Sequence, residues 1–450
     1  MFWLVLAMLI GTGAGLGLSV TTVLLKMRSA LKKINAEALL VYLNLIRKIS
    51  WKDLFEAQIR AEEGIPPNRP YGASRGNYQW EKLLFNPVYL TRKPLNSGDK
   101  ILTEVILGPR ARKPLKISIP ILIGGIAYGS GYSVEAKIAL AKAATLAGIA
   151  ANSGNGPFLE DERKYAAKYT LQFTRGFWSK AEHYLKQADM IEIALGHSAR
   201  GSAPVRILGK KVRGEVALRY GTIPGLDVLM DARLPEVETM ADWNRLVQTL
   251  KEVGNGVPVS VKFGASHYIE EEIEIMLRGG VDVLTFDGLE AGTHGGIPLF
   301  MDDTGLPLLP ALCRATQYLN GTKWKDQVSL VAGGCLVNPA DFAKCLALGA
   351  DAVLIGTITA IVQAHTQTTK TLPWEPPTGL LYSDGKEKHK YNADLGAQHL
   401  YYFLESCTRE LEMLARCLGK RGLNEFNRDD LVALDPLYAE IAKVTYLQPN

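Results

Sequence analysis

The stretch IPILIGGIAYGSGYSVEAKIALAKAATLAGIAANSGNGP, residues 119–157, decides the fold class. It opens with an apolar run at 119–124, continues as a helical pattern at 134–148 and closes with a second apolar run at 148–152. Short apolar runs that alternate with helical patterns are typical of βα units in a parallel sheet. The same alternation continues along the chain, so this one unit predicts the architecture of the rest.

Eight candidate strands follow the pattern. They cover residues 119–124, 148–152, 169–174, 190–193, 257–263, 281–287, 328–333 and 352–356. Helical patterns at 134–148, 267–280 and 339–349 separate several of them. Eight strands of this kind predict an α/β protein with a TIM (β/α)8 barrel, and an open doubly wound sheet is the alternative. A further helical pattern at residues 395–419 predicts a helix packed on the barrel exterior.

Residues 2–25, FWLVLAMLIGTGAGLGLSVTTVLL, carry no ionisable side chain. The run exceeds the ~20 residues that a helix needs to cross a bilayer. Basic residues follow it, whereas a cleaved signal peptide would carry them before it, so we expect a single-pass transmembrane helix with the body on the cytoplasmic side. A buried core helix is the alternative, although four glycines between residues 11 and 17 favour lipid over a soluble core. Residues 29–50 then predict a basic amphipathic helix along an anionic leaflet.

These patterns divide the chain into four parts. They are a transmembrane anchor at 1–28, a lead-in segment packing on the barrel at 29–115, the barrel at 116–365, and a C-terminal loop and helical extension at 366–450. The formal net charge is +5, and the excess of basic residues lies within the first fifty positions. A nucleic-acid binder usually carries its positive charge as a patch on the folded body, so no nucleic-acid partner is expected.

The cysteines predict neither disulfides nor a metal site. All five lie in the last third of the chain, and none forms a CxxC pair. Such usage is typical of reduced thiols in a cytosolic compartment. No metal is therefore expected.

The predicted strand ends are rich in glycine and small polar residues. GGIAYGSG (124–131), NSGNGP (152–157) and DGLEAGTHGGIP (287–298) follow three of the strands, and Gly333-Gly334 and Gly356-Thr357 follow the last two. Glycine lets successive backbone N–H groups approach an anion closely. Because barrels of this kind commonly hold a phosphate after their last two strands, these loops predict a phosphate site.

Lys262 lies inside an otherwise apolar strand, VSVKFG. A buried ammonium needs a partner, which is either Asp287 on the next strand or an anionic ligand such as the pyrimidine end of a reduced flavin. Glu290, His294, His197 and Arg200 lie in predicted strand-end loops, where a carboxylate or imidazole can transfer protons. A merely hydrogen-bonded loop residue is the alternative for each histidine.

Several of these motifs resemble one family. Residues 119–163, VSVKFG, TFDGLEAGTHGGIP, AGGCLVNPADFAKCLALGADAVLIGT and RDDLVALD occur here in the same order as in the FMN-binding synthase domain of glutamate synthases, particularly its stand-alone, glutaminase-free members. The likeness covers roughly residues 70–440. It implies an FMN-containing barrel that reduces a 2-oxo or 2-imino acid, in the parent case 2-oxoglutarate, to an amino acid.

The resemblance also implies roles for individual residues, with Lys262 and Glu290 as the catalytic candidates. His197, Arg200 and His294 are candidates for binding the substrate. The residues implied to contact the isoalloxazine are Gly125, Ile126, Ala127, Asn152, Ser153 and Lys262, with Asp287 beside them. Those implied to hold the ribityl chain and phosphate are Gly292, Thr293, Gly333, Gly334, Gly356 and Thr357.

Several positions depart from the family pattern, and they bear on the nitrogen source, the electron supply and the substrate. No nucleophilic cysteine stands near the start, and no cysteine cluster follows the last strand, so neither glutamine hydrolysis nor an iron-sulfur cluster is expected. A separate protein or reductant should therefore supply the electrons. Ala194, His197 and Asn155 stand where the family usually has lysine, glutamine and an acidic residue. Two alternatives stay open: a non-catalytic membrane-bound scaffold or regulator, and an FMN barrel of another type such as a 2-hydroxyacid oxidase.

Overall fold

The computed structural model describes residues 79–197, 200–291, 304–370 and 377–447, together with positions 40, 41, 44, 47–49, 54, 57, 58, 60–62 and 64. The predicted transmembrane segment lies outside these residues. Among the helices that the structure does describe, none is both long and apolar enough to span a bilayer.

Eight parallel strands form a near-closed barrel. They are β4 (Ile121–Ile123), β5 (Ala151–Asn152), β6 (Tyr169–Phe173), β7 (Met190–Ala194), β10 (Val259–Gly264), β11 (Val283–Asp287), β12 (Ser329–Gly333) and β13 (Ala352–Ile355). Hydrogen-bonded neighbours run β4-β13-β12-β11-β10-β7-β6-β5, so the strands follow chain order around the barrel. The ends of this order, β4 and β5, also lie beside each other. All eight predicted strands are confirmed, and the open sheet is excluded.

Twelve α-helices accompany the strands. They are α1 (Val134–Leu146), α2 (Glu160–Tyr165), α3 (Glu182–Leu185), α4 (Gly214–Arg219), α5 (Met240–Val253), α6 (Ile269–Arg278), α7 (Leu308–Asn320), α8 (Pro339–Ala347), α9 (Thr357–Gln363), α10 (Thr378–Leu381), α11 (Ala393–Cys417) and α12 (Pro436–Ala442) within the described ranges. Local sequence begins several of them: Ser133 caps α1, Thr239 and Asp242 form a capping box on α5, and Asn338 caps α8 ahead of Pro339. The long α11 packs on α1 and α9, as its pattern predicts.

In the part of the chain that the structure describes, seven short strands lie outside the barrel, and these were not predicted. They are β1 (Leu83–Phe85), β2 (Val105–Leu107), β3 (Leu115–Ile117), β8 (Val205–Ile207), β9 (Val228–Met230), β14 (Leu431–Ala433) and β15 (Thr445–Tyr446). The strand β1 pairs with β14, which in turn pairs with β15, and the hairpins β2-β3 and β8-β9 are antiparallel. Each of these strands has only two or three residues, which is too short to show a period, so no pattern in the sequence predicts them. The lead-in segment therefore pairs with the C-terminal extension through β1 and β14.

Candidate functional site

A buried polar network lies at the carboxyl ends of three neighbouring strands. The Gln172 side chain on β6 donates to Glu192 Oε1 on β7 at 2.8 Å, and Asn152 on β5 donates to the same oxygen at 3.2 Å. All three side chains are buried. Since buried polar groups persist only when they are hydrogen-bonded, this network fixes the orientation of Asn152, one of the predicted flavin contacts.

Lys262 on β10 is buried and faces Asp287 on β11, with 3.4 Å between Nζ and Oδ2. Burial raises the pKa of Asp287, and the ammonium of Lys262 opposes that rise. The predicted ion pair is thus present. An ammonium has three N–H donors, and this pair occupies one. Among the described residues no other group accepts from Lys262, so two of its donors have no partner there.

The loops after β4 and β5 pack directly on each other. A Cβ on Gly125 would lie 2.7 Å from Asn152 Oδ1, and a Cβ on Gly154, at φ +68°, would lie 2.4 Å from the carbonyl carbon of Ile126. Only glycine fits such a close approach of two backbones. The structure therefore brings Gly125, Ile126 and Ala127 next to Asn152 and Ser153, as a shared ligand site requires.

One buried lysine that the motifs did not single out joins these two loops. Lys137 Nζ, on α1, donates to the carbonyl oxygens of Ile126 at 2.6 Å, Asn152 at 2.9 Å and Ser153 at 3.1 Å. Its countercharge is Glu162 at 2.8 Å, which also accepts from Tyr169 at 3.0 Å. Neither charged side chain reaches solvent.

Burial shifts the pKa values of both Lys137 and Glu162. Burial lowers the pKa of Lys137 and raises the pKa of Glu162, and each charge partly offsets the shift of the other. The available signal was the charge of Lys137 within the small, apolar helix VEAKIALAKAATL. Its partner Glu162, on a different helix, carried no comparable signal.

The glycines after β12 and β13 have different surroundings. A Cβ on Gly333 would lie 2.7 Å from Asp287 Oδ1, and one on Gly334, at φ +157°, would lie 3.0 Å from Leu308 Cβ. A Cβ on Gly356 would meet no described atom within 4 Å. Gly333 and Gly334 are thus needed for packing, whereas Gly356 borders open space next to Thr357. The phosphate role of these four residues stays a prediction.

Three cationic or basic side chains gather after β6 and β7. Arg175 is buried and donates to the carbonyl oxygens of Ser202, Ala203 and Ala232. Burial, aided by the charges of Lys262, Arg200 and Arg175, lowers the pKa of His197 to about 3. The imidazole is therefore neutral at pH 7.

Arg200 and His197 lie together, since the backbone N–H of Arg200 donates to the carbonyl oxygen of His197, and Arg175 was not among the predicted site residues. The role of Arg200 and His197 in binding a substrate stays a prediction. Burial lowers the pKa of Arg200, and its Nε is buried with no hydrogen-bond partner within the described ranges. A buried donor without a partner costs roughly 1–3 kcal/mol unless a ligand accepts from it. Asn155, the other departure from the family pattern, donates to Met230 Sδ at 3.4 Å, and its Oδ1 is buried without a described partner.

Glu290 has a structural partner. Its Oε2 accepts from the backbone N–H of Leu308 at 3.0 Å, at the first turn of α7, and its carbonyl oxygen accepts from Lys48 at 3.2 Å. Burial raises the pKa of the Glu290 carboxyl. A carboxylate at this position stabilises the helix N-terminus. The catalytic role of Glu290 stays a prediction, and Gly292, Thr293 and His294 lie outside the described residues.

Comparison with known proteins places the chain in a family. Residues 86–421 match the model described as the conserved region in glutamate synthase. A glutamate synthase large subunit-like protein of Rhizobium meliloti is 29% identical over 420 residues, which cover 88% of this chain and 94% of that protein. An archaeal-type glutamate synthase [NADPH] of Dehalococcoides mccartyi is 28% identical over 371 residues, covering 77% of this chain and 72% of that protein.

Among solved structures, an active chimera of (S)-mandelate dehydrogenase has the same fold. The TM-score is 0.52 at 16% identity, and the superposition covers 84% of this chain and 98% of that chain. At such an identity the likeness shows the fold alone. The family match spans all eight barrel strands and the buried polar network at their carboxyl ends. The chain therefore belongs to the glutamate synthase family, in the part that the conserved-region model describes.

Proposed function

We propose that this protein is an FMN-dependent oxidoreductase that reduces a 2-oxo or 2-imino acid to an amino acid, with electrons from a separate donor. The observation that carries the proposal is Lys262, a buried ammonium that holds Asp287 at 3.4 Å and keeps two donors free among the described residues. Family membership supports the reaction class, because relatives bear the name glutamate synthase [NADPH].

The residues present fit FMN on two counts. The isoalloxazine edge is an acceptor-rich, planar group. Lys262 offers N–H donors near the carboxyl end of β10, and the closely packed Gly125–Ala127 and Asn152–Ser153 backbones follow β4 and β5 at the same end of the barrel. The phosphate is an anion, and the glycines after β12 and β13 would hold it, with Gly356 bordering open space. When bound, FMN supplies the hydride chemistry that no amino-acid side chain can perform.

The chain's own residues then bind and orient the substrate. Arg200 and Arg175 provide positive charge that attracts a carboxylate, and Arg200 Nε still lacks an acceptor among the described groups. Neutral His197 can donate one hydrogen bond without adding charge. Asp287, whose pKa is raised by burial, lies where it can hold a proton beside Lys262. Glu290 is the second proton-transfer candidate, and His294, which lies outside the described residues, stays a substrate-binding candidate.

The remaining expectations belong to the same proposal. We propose that the apolar segment at residues 2–25 tethers the protein to a membrane, with its catalytic body on the cytoplasmic side. The electron donor is a separate protein or reductant, because the sequence has no cysteine cluster for an iron-sulfur centre. No metal and no nucleic acid take part.

A flavin spectrum of the detergent-purified full chain tests the cofactor. The expected result is a yellow protein that releases FMN on denaturation, and a Lys262→Met variant that folds but binds FMN at least about tenfold more weakly, a loss of about 1.4 kcal/mol. A colourless protein whose apo form does not take up added FMN would refute the proposal.

Turnover separates the enzyme from a non-catalytic scaffold. The assay combines the flavin-loaded protein with 2-oxoglutarate, ammonium and a chemical reductant, and it measures amino-acid formation. Other 2-oxo acids run in parallel, because Ala194 and His197 depart from the family pattern. Flavin binding without turnover on any 2-oxo acid would favour the scaffold.

A further inference from the structure

The chain between β7 and α5 forms a projection on the carboxyl rim of the barrel. We call residues 205–230 the rim hairpin; it consists of β8, α4 and β9. It lies over the loops after β4 and β5, since Tyr220 donates to the carbonyl oxygen of Tyr128 and Asn155 donates to Met230 Sδ. It also has a small core of its own, built from Trp178, Ile207, Val212, Ala217, Tyr220, Val228 and Met230.

The rim hairpin exposes several aliphatic side chains. Five aliphatic side chains there have exposed fractions between 43% and 78%: Leu208, Leu218, Ile223, Leu226 and Leu229. Three of them are neighbours, because a Cβ on Gly209 would meet the carbonyl of Gly225 and the backbone N–H of Leu226 donates to Ile223. Single exposed aliphatics are ordinary, but a group of this kind on one projection marks a contact surface.

Basic side chains accompany the aliphatic group. Lys210 and Arg213 are exposed, and neither has a carboxylate partner among the described residues. Exposed aliphatic residues with unpaired basic residues fit the interface of an anionic bilayer, where each basic residue contributes about 1 kcal/mol. A protein partner fits less well, because lysine is depleted at the centres of protein interfaces.

The path of the N-terminal chain points to the same side of the barrel. Glu62 Oε2 lies 3.6 Å from His365 Nε2, just beyond the end of α9. Lys48 contacts the loops after β11 and β12: its Nζ donates to the carbonyl oxygen of Glu290, and its own carbonyl oxygen accepts from the thiol of Cys335. Because α9 begins at the carboxyl rim and runs away from it, position 62 lies farther from that rim than position 48 does. In the sequence, position 48 follows the apolar segment 2–25, which the proposed function assigns to a membrane.

We propose that the carboxyl rim of the barrel faces an anionic bilayer and that the rim hairpin inserts its aliphatic side chains into the lipid interface. The mouth that holds Lys262 then opens toward the membrane surface. This orientation stands on the exposed aliphatic and basic side chains of the rim hairpin and on the contacts of Lys48 at the same rim, and it holds whether or not the barrel binds FMN.

Lipid-dependent quenching tests the orientation. The full chain carrying Cys417→Ser, to remove an exposed thiol, receives Leu226→Cys and an environment-sensitive fluorophore. The matched control is Leu146→Cys at the end of α1, on the opposite rim; Leu146 is 59% exposed and Leu226 is 53% exposed. Both proteins are reconstituted in vesicles of phosphatidylcholine with a minority of phosphatidylglycerol, with and without spin-labelled lipid.

The expected result is a blue-shifted emission at position 226 that spin-labelled lipid quenches about twofold, and no change at position 146. Replacing both Lys210 and Arg213 by Gln should reduce the quenching at position 226. Equal emission at the two positions in vesicles would overturn the proposal. So would a blue shift at position 226 that lipid does not quench, because that result identifies a protein partner or a second copy of the chain.

Discussion

Replacing Lys137 by Met tests whether a buried ion pair positions the ligand loops. The substitution keeps an unbranched side chain one atom shorter than lysine, but it leaves Glu162 as an uncompensated buried carboxylate and removes the donor shared by three carbonyl groups. Removing one partner of a buried pair costs about 3–5 kcal/mol. That is a large part of the stability of a folded domain.

Three further variants isolate the cause of the loss. Lys142→Met, on the same helix, removes an exposed pair with Asp394 and should cost about 0–1 kcal/mol. The double variant Lys137→Met with Glu162→Gln removes both charges and should be more stable than Lys137→Met alone by roughly 2 kcal/mol. Glu162→Gln alone keeps the Lys137 ammonium on its three carbonyl oxygens, so its free energy of unfolding should lie between the values of Lys137→Met and of the double variant.

Two measurements on the full chain in detergent report the outcome. Urea unfolding gives the free energy of unfolding, and titration of the apoprotein with FMN gives the dissociation constant. Because the three carbonyls belong to Ile126, Asn152 and Ser153, the double variant should bind FMN about tenfold more weakly even where its stability recovers. Unchanged unfolding of Lys137→Met, or unchanged FMN affinity of the double variant, would refute the positioning role.

The remaining predictions concern two glycines, one histidine and one carboxylate. Gly125→Ala should lower the free energy of unfolding by roughly 1–3 kcal/mol, because its Cβ would meet Asn152, whereas Gly356→Ala should unfold like the wild type and weaken only FMN binding; equal effects on unfolding would contradict the packing argument. Between pH 6.5 and about 3 the unfolded chain binds a proton at His197 that the folded chain does not, so the stabilising contribution of neutral His197 is complete above pH 6.5 and falls as the pH falls; His197→Gln should flatten the pH dependence of urea unfolding in this window. Glu290→Gln should keep the hydrogen bond from Leu308 and change stability by less than about 1 kcal/mol, so that a loss of turnover in this variant would assign the carboxyl a proton-transfer role, and full turnover would exclude it.

The barrel could be predicted because its strands are buried on both faces and therefore appear as uninterrupted apolar runs. Lys262 was found by the same logic, as a charge within such a run. Gln172 in TLQF and Glu192 in MIEIA are likewise polar residues within apolar runs, although neither was among the predicted site residues. Which of these side chains meet depends on strand register, and the parallel pairing sets Gln172 beside Glu192 in a way that sequence spacing does not reveal.

Two other features could not be predicted from the sequence, each for a physical reason. Lys137 and Glu162 lie on separate helices, so neither a heptad nor a strand period connects them. The rim hairpin has strands of three residues with a single alternation each, which is too short to distinguish from a loop. In the sequence alone, its exposed aliphatic residues look the same as those of a buried core segment.

The balance of donors and acceptors at the barrel mouth favours an enzyme over a degenerate scaffold. On β5, β6 and β7, Glu192 accepts hydrogen bonds from both Asn152 and Gln172, so these three side chains have partners within the protein. By contrast, Lys262 keeps two donors without described acceptors, and Arg200 Nε has none. The buried Arg200 Nε costs roughly 1–3 kcal/mol in the absence of a partner. An anionic ligand that accepts from Arg200 removes that cost, whereas a scaffold with an empty mouth would carry it with no return in stability.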